Sequence, residues 1–168
     1  PGGAEKEPID IKKEIEKTIT ITRNEWKYLA ELITNFDATL PAVHCHRAEF
    51  NQVILNLIVN AAHAIADANG DQPSERGKIK ISTTLSGKWA EIRISDTGMG
   101  IPEEIRHRIF DLFFTTKEPG RGTGQGLAIA HSVIVEKHGG KIDIETEENQ
   151  GTTFVIQLPV DPNLFVNE

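Results

Sequence analysis

Residues 89–102, W-A-E-I-R-I-S-D-T-G-M-G-I-P, decide how this chain is to be read. Ala90, Ile92, Ile94 and Asp96 share strand parity, so an alternating strand over Trp89–Ser95 has one apolar face and delivers a carboxylate to that same face at its end. The run before it, Lys78–Leu85, also alternates, and Ser86-Gly87 joins the two as a hairpin. Asp followed closely by Gly is ordinary turn chemistry. Glycines at 98 and 100 also let a backbone approach a flat ligand closely, because they carry no Cβ. A carboxylate in an apolar pocket accepts a hydrogen bond from an exocyclic amine such as that of adenine. Leaving such a buried group unpaired costs roughly 1–3 kcal/mol, so a single carboxylate can select a base.

Working outward, a long helix is expected from about Ala48 to Ala68, closed by Asn69-Gly70. Val53, Ile54, Leu57, Ile58, Ala61 and Ile65 give it a broad apolar face. Gln52, Asn56, Asn60, His63 and Asp67 lie three or four apart and form a polar stripe. Asparagine is a poor helix former, so this stripe is either an amide-rich solvent face or a set of short side chains aimed into a cleft. In the second reading their carbonyl oxygens suit a hard cation such as magnesium, for which one asparagine suffices when phosphates and water supply the other ligands. Downstream, G-R-G-T-G-Q-G-L at 120–127 precedes a helix marked by Leu127, Ala130, Ile134 and His138 and ended by Gly139-Gly140. Such a loop is either a flexible surface segment or an anion cradle of backbone N–H groups at a helix N-terminus, with Lys117 and Arg121 adding positive charge. It is neither a Walker loop nor a Rossmann fingerprint.

The remaining segments complete an α+β sandwich, with helices on one face of a mainly antiparallel sheet. Residues 1–8 read as a linker or cut end, 9–160 as one domain and 161–168 as a peripheral tail. Ile9 to Thr20 reads as an amphipathic helix, and Tyr28 to Phe36 as a strand ending before Asp37 and Pro41. Residues 71–77 are a loop, Pro102 opens a short helix to about Phe110, and 113–126 is a loop. Lys141–Thr146 and Thr152–Leu158 form a second hairpin, turning at 148–151. A length of 168 residues, 38% hydrophobic and 26% charged, fits one soluble domain. The formal charge of -7 disfavours nucleic acid and a polybasic membrane anchor. Cys45 alone cannot form an internal disulfide, consistent with a reducing, cytoplasmic setting. The apolar stretch Val53–Ala66 is broken by Asn56, Asn60 and His63 and is too short to span a bilayer. No signal peptide is visible, and Met99 is the only methionine, so the chain reads as a piece of something longer.

In order and spacing these segments resemble the GHKL ATPase superfamily, and within it the catalytic, ATP-binding domain of bacterial sensor histidine kinases of the short-lid, nitrogen-regulation type. N-L-I-V-N-A-A-H-A at 56–64 resembles the asparagine box and D-T-G-M-G-I at 96–101 the first glycine box. F-D-L-F-F-T-T-K at 110–117 resembles the phenylalanine box and G-T-G-Q-G-L at 122–127 the second glycine box. H-G-G-K-I and G-T-T-F-V-I-Q-L-P match the last hairpin. The resemblance, over roughly residues 9–160, implies the Bergerat fold, with ATP held between sheet and helices. It implies Asn60 as the magnesium ligand, Asn56 beside it on the phosphate side, and both as catalytic. Asp96 would bind the adenine amine, with Gly98 and Gly100 letting the base sit close and Met99 and Ile101 in the same box. Phe110 and Phe113 would anchor the lid, which contributes Thr115, Thr116 and Lys117. Gly122, Gly124 and Gly126 would wrap the phosphates, with Arg121, Thr123, Gln125 and Leu127 beside them. Thr153 would help to bind adenine through water.

This chain departs from the family pattern at two positions. His63 stands where many of these kinases carry a phosphate-binding lysine, which would make that contact depend on pH. Asn56 stands where the hydrolytic branches carry a glutamate base, and an amide cannot take a proton from water, so phosphotransfer is favoured over hydrolysis. The implied partners are ATP or ADP, a histidine-bearing dimerisation hairpin and a response regulator. None of His44, His46, His63, His107, His131 and His138 lies in the expected H-E motif. The phosphoacceptor would therefore lie outside the chain, with the parent protein membrane-anchored or not. His44 and His46 flank Cys45, but lacking a fourth ligand they read as packing or surface residues rather than a zinc site. A GHKL serine kinase, or a nucleotide-binding docking module without kinase activity, stays open as an alternative.

Overall fold

The computed structural model describes residues 5–69, 76–111 and 126–161. In chain order these form β1 (Glu7–Ile9), α1 (Ile11–Ile21), α2 (Arg23–Trp26), β2 (Ala30–Asn35), β3 (Val43–Cys45) and α3 (Arg47–Asn69). There follow β4 (Gly77–Ser86), β5 (Trp89–Asp96), a 3-10 helix (Glu103–Arg108), α4 (Gly126–His131), a π-helical segment (Ser132–Lys137), β6 (Lys141–Glu147) and β7 (Gly151–Pro159).

The main sheet has the order β2-β4-β5-β7-β6. Only β2 and β4 run parallel, and the other neighbours are antiparallel. A parallel pair needs a long crossover, and α3 lies within the one that joins β2 to β4. The apolar face of α3, from Phe50 and Val53 through Leu57 and Ile58 to Ala61 and Ile65, is fully buried. It shares one core with Ile79 and Ile81 of β4, Ala90, Ile92 and Ile94 of β5, and Phe154, Ile156 and Leu158 of β7. Alternation sends the polar partners of these strand residues to the other face, which makes the expected two-layer α+β sandwich.

The N-terminal segment differs from its reading as a linker. Glu7 and Pro8 pair with Cys45 and His44 in a two-stranded antiparallel sheet. The helix accordingly starts at Ile11, capped by Asp10, whose carboxylate accepts from the Lys13 N–H at 3.2 Å. Glu14 of α1 is buried yet paired: it accepts from the Arg47 guanidinium and from Asn51 Nδ2 at 3.0 Å, and Arg47 also reaches Glu7 at 3.0 Å. These ties fasten α1 and β1 to the start of α3. In β3 the period of two turns His44 outward and Cys45 inward, and burial pushes the Cys45 thiol up to about 12, so it is an inert core residue.

The helix expected through His138 begins as α4 and then widens into a π-helical segment. This brings His138 inward, where Nδ1 lies 2.8 Å from the Val133 carbonyl and Nε2 accepts the His46 N–H at 3.0 Å. One nitrogen donates and the other accepts, so the ring is held neutral, and desolvation is the chief reason its pKa lies below the ordinary histidine value. The unfolded chain therefore takes up this proton first as pH falls. We expect stability to drop as pH goes below about 6.5. The acid-side slope should be shallower in His138→Gln, as read by denaturant unfolding at stepped pH.

Candidate functional site

The end of β5 sets the base of the site. Asp96 is only 7 % exposed, because its strand parity is that of the buried Ile92 and Ile94. One carboxylate oxygen accepts the Gly98 N–H at 2.8 Å, closing an Asx turn. Burial pushes this carboxyl up to about 6, against the counterweight of the Gly98 and Thr152 backbone N–H groups. A buried carboxyl of that kind is costly for the fold and marks a candidate ligand site.

The register corrects one residue of the expected site. Asp96 lies opposite Thr152, and Ser95 lies opposite Thr153. Thr152 is buried on the face of Asp96, whereas the Thr153 hydroxyl is hydrogen-bonded at 2.7 Å to Ser95 on the other face. Thr152, not Thr153, is the hydroxyl beside the carboxylate. Sequence alone contained that signal, since Phe154, Ile156 and Leu158 fix the inward parity of β7 and Thr152 shares it.

The glycines of D-T-G-M-G are closely seated against the rest of the protein. A Cβ on Gly98 would stand 2.6–2.8 Å from the Cβ and backbone of Ala64 on α3, and Gly100, at φ +73°, abuts the Glu147 carbonyl. Protein packing leaves no room for a Cβ at either position. The Met99 carbonyl accepts the Asn149 N–H at 2.6 Å, and the Ile101 N–H donates to Thr146 Oγ1 at 3.0 Å. The β6–β7 turn thus grips residues 99–101 from one side while α3 holds Gly98 from the other. Gly151, in turn, allows β7 to lie against the Asp96 carbonyl.

Along α3 the polar stripe is half-buried at Asn56, Asn60 and His63. Asn56 Oδ1 accepts from Gln52 Nε2 at 2.9 Å. The Cβ direction of Gly126, first residue of α4, lies 3.8 Å from the Asn56 side chain, an ordinary van der Waals distance. The Gly98 contact at Ala64 and the Gly126 contact at Asn56 are eight residues apart, about 12 Å along the helix axis. Gly98 and Gly126 therefore meet α3 at two points about 12 Å apart. Leu127 packs against the core. Phe110 is also part of that packing, its ring 5.4 Å from His131 and 6.5 Å from Phe154. Phe113, Thr115, Thr116, Lys117, Arg121, Gly122, Thr123, Gly124 and Gln125 lie outside the described residues.

A two-layer sandwich with a buried strand-end carboxylate and an amide-rich stripe on its long helix has the architecture of an ATPase domain. The chain belongs to the family of histidine kinase-, DNA gyrase B- and HSP90-like ATPases, which it matches over residues 45–162. It is 39% identical over 123 residues to the sensor histidine kinase ZraS of Escherichia coli, covering 73% of this chain and 24% of that protein. It is 32% identical over 164 residues to the histidine-protein kinase AtoS of Escherichia coli, covering 96% and 25%. With the histidine kinase/phosphatase NtrB of Azospirillum brasilense the identity is 31% over 163 residues, covering 93% and 40%. Among solved structures, the catalytic domain of histidine kinase ThkA superposes with a TM-score of 0.79 at 32% identity, covering 95% of this chain and 99% of that one. ThkA in complex with the response regulator TrrA gives 0.74 at 28%, covering 94% and 42%. The chain thus has the fold of a histidine kinase catalytic domain and spans about a quarter of ZraS and AtoS. No described helix is long and apolar enough to cross a membrane.

Proposed function

We propose that this domain binds Mg-ATP and presents its γ-phosphate to a histidine on a dimerisation hairpin outside these 168 residues, serving a two-component pathway with a response regulator as the next acceptor. The observation that carries the reading is the buried Asp96 carboxylate, followed by a turn whose Gly98 is seated on Ala64, about 12 Å along α3 from the Asn56–Gly126 contact. One end suits a base with an exocyclic amine and the other suits phosphates. The ZraS, AtoS and NtrB relatives are named as histidine kinases, and ThkA is seen with a response regulator.

Each residue has a defined task in this reading. Asp96, ionised, accepts the purine amine, and Thr152 lies beside it. Asn60 and Asn56 turn amide groups toward the phosphate end, and amide oxygens are the hard, neutral donors that magnesium accepts alongside phosphate and water. Bound magnesium would supply charge neutralisation for the triphosphate. Asn56 has no basicity with which to activate water, so the bound nucleotide is kept for transfer. In the transfer the bond from the γ-phosphorus to the β,γ-bridging oxygen breaks as a bond to the imidazole nitrogen forms, and ADP leaves. His63 lies farther along the same stripe, half-buried on α3.

Thermal unfolding with and without Mg-ADP tests the binding step. Nucleotide at about 100 times its dissociation constant should add roughly 2.7 kcal/mol. The absence of any shift at millimolar ADP would refute adenine-nucleotide binding. Labelled ATP supplied to the longer protein then tests the acceptor, because phosphohistidine is acid-labile and phosphoserine is not.

A further inference from the structure

Thr146 of β6 takes part in three hydrogen bonds through one hydroxyl. Its Oγ1 accepts the Ile101 N–H at 3.0 Å, donates to the Gly151 carbonyl at 3.1 Å and lies 2.8 Å from Thr152 Oγ1. A hydroxyl has one proton and two acceptor sites. With that proton on the Gly151 carbonyl and one lone pair taken by Ile101, the third contact is satisfied only if Thr152 donates to Thr146. The Thr152 proton is then turned away from Asp96, and the Thr152 oxygen offers only lone pairs on its other side. Thr152 is buried and lies across the ladder from Asp96, whose ionised carboxylate is likewise acceptor-only.

We propose that Thr146 is a specificity-determining positioning residue. By holding the Thr152 proton, it leaves only acceptor oxygens, those of Asp96 and Thr152, to meet the exocyclic group of a bound purine, so a 6-amino purine is taken and a 6-oxo purine refused. The proposal rests on the adenine-nucleotide reading above and deepens it. An amine brings two N–H donors to such a surface, directly or through water. A carbonyl brings lone pairs against lone pairs and leaves buried groups unpaired, which is how polar pockets achieve strong discrimination. The device is local. Gly100, packed on Glu147, and the Ile101 N–H fix Thr146 from one side while the β6–β7 ladder fixes it from the other. Free rotation of the Thr152 hydroxyl would let it donate to a carbonyl, and Thr146 prevents that rotation.

The test is the ratio of ADP to IDP affinity in the full 168-residue chain, measured by calorimetry, since the bases differ at the 6-position, where an amine gives way to a carbonyl, and at the adjoining N1, which bears a proton only in the 6-oxo base. Wild type should prefer ADP. In Thr146→Val the ratio should fall about tenfold, chiefly through a gain in IDP binding. Thr146→Ser should restore it. In a Thr152→Val background, adding Thr146→Val should leave the ratio unchanged, because the hydroxyl through which Thr146 acts has gone. If the valine variant does not fold, Thr146→Ala is read in the same way. An unchanged ratio in Thr146→Val, an equal loss for both nucleotides, or additive effects in the double variant overturns the proposal alone. A wild type that binds neither nucleotide overturns the nucleotide reading and the proposal together.

Discussion

Asp96→Asn cuts the thermal shift given by Mg-ADP to about half or less, and the nucleotide-free variant unfolds no earlier than wild type. The two halves of this expectation have one cause. The carboxylate is 7 % exposed and its pKa is raised to about 6. A carboxyl whose folded pKa lies above its unfolded value of about 3.9 destabilises the fold progressively as pH rises through that interval. About two pKa units at about 1.4 kcal/mol each give a penalty on the order of 3 kcal/mol at neutral pH. An amide escapes that penalty and still accepts the Gly98 N–H, against a cost of roughly 1–3 kcal/mol for its own unpaired N–H groups. The terms offset or favour the variant. Binding has no such compensation, because the amide turns N–H groups toward a purine amine. A charge-assisted hydrogen bond is worth roughly 1.5–3 kcal/mol, so affinity should fall by about ten- to a hundredfold or more. In wild type the same group makes ADP affinity depend on pH. One unit below the nucleotide-free pKa only about a tenth of the chains are ionised, so the apparent dissociation constant at pH 5 should be about tenfold weaker than its plateau. Titrations at stepped pH would read this directly. An Asp96→Asn chain that binds ADP normally would sink the assignment.

Gly98→Ala should cost about 2–3 kcal/mol, a fall of roughly 4–12 °C in Tm for a domain of this size. The added methyl would lie 2.6–2.8 Å from the Ala64 Cβ, carbonyl carbon and carbonyl oxygen. Two of those three atoms are helix backbone, so no rotamer change relieves the contact. Either residues 96–100 lift away or α3 shifts, and α3 also carries Asn56 and Asn60. We therefore expect weaker nucleotide binding together with the lowered Tm. Ala64→Gly in the same chain should recover only the part due to the Cβ. Gly87→Ala is the control. That glycine has open space around it, so its substitution should show only the strain of a positive φ. A Tm for Gly98→Ala equal to wild type would mean that the turn is not seated on the helix as described.

The main elements were legible because their patterns are long. The strands β4 and β5, the 23 residues of α3 and the last hairpin each repeat their period several times. The pair β1–β3 was not, since three residues per strand show no periodicity and their partners lie more than thirty residues apart. The π-helical widening before His138 was likewise hidden, because His138 answers to a hydrogen bond from His46, between β3 and α3, rather than to local propensity.

The layer class, the inward parity of Asp96, the polar stripe of α3 and the order of the boxes were all readable from the residues alone, because they follow from local period and spacing. The sequence also contained the parity that selects Thr152 over Thr153, through the alternation of Phe154, Ile156 and Leu158. What depended on long-range contacts was the tight seating of Gly98 and Gly100, the placing of Asp96 opposite Thr152, and the three hydrogen bonds that converge on the Thr146 hydroxyl. Those facts depend on which backbones touch across the β5–β7 and β6–β7 ladders and against α3, and chain-distant contacts of that kind leave no period in a single sequence.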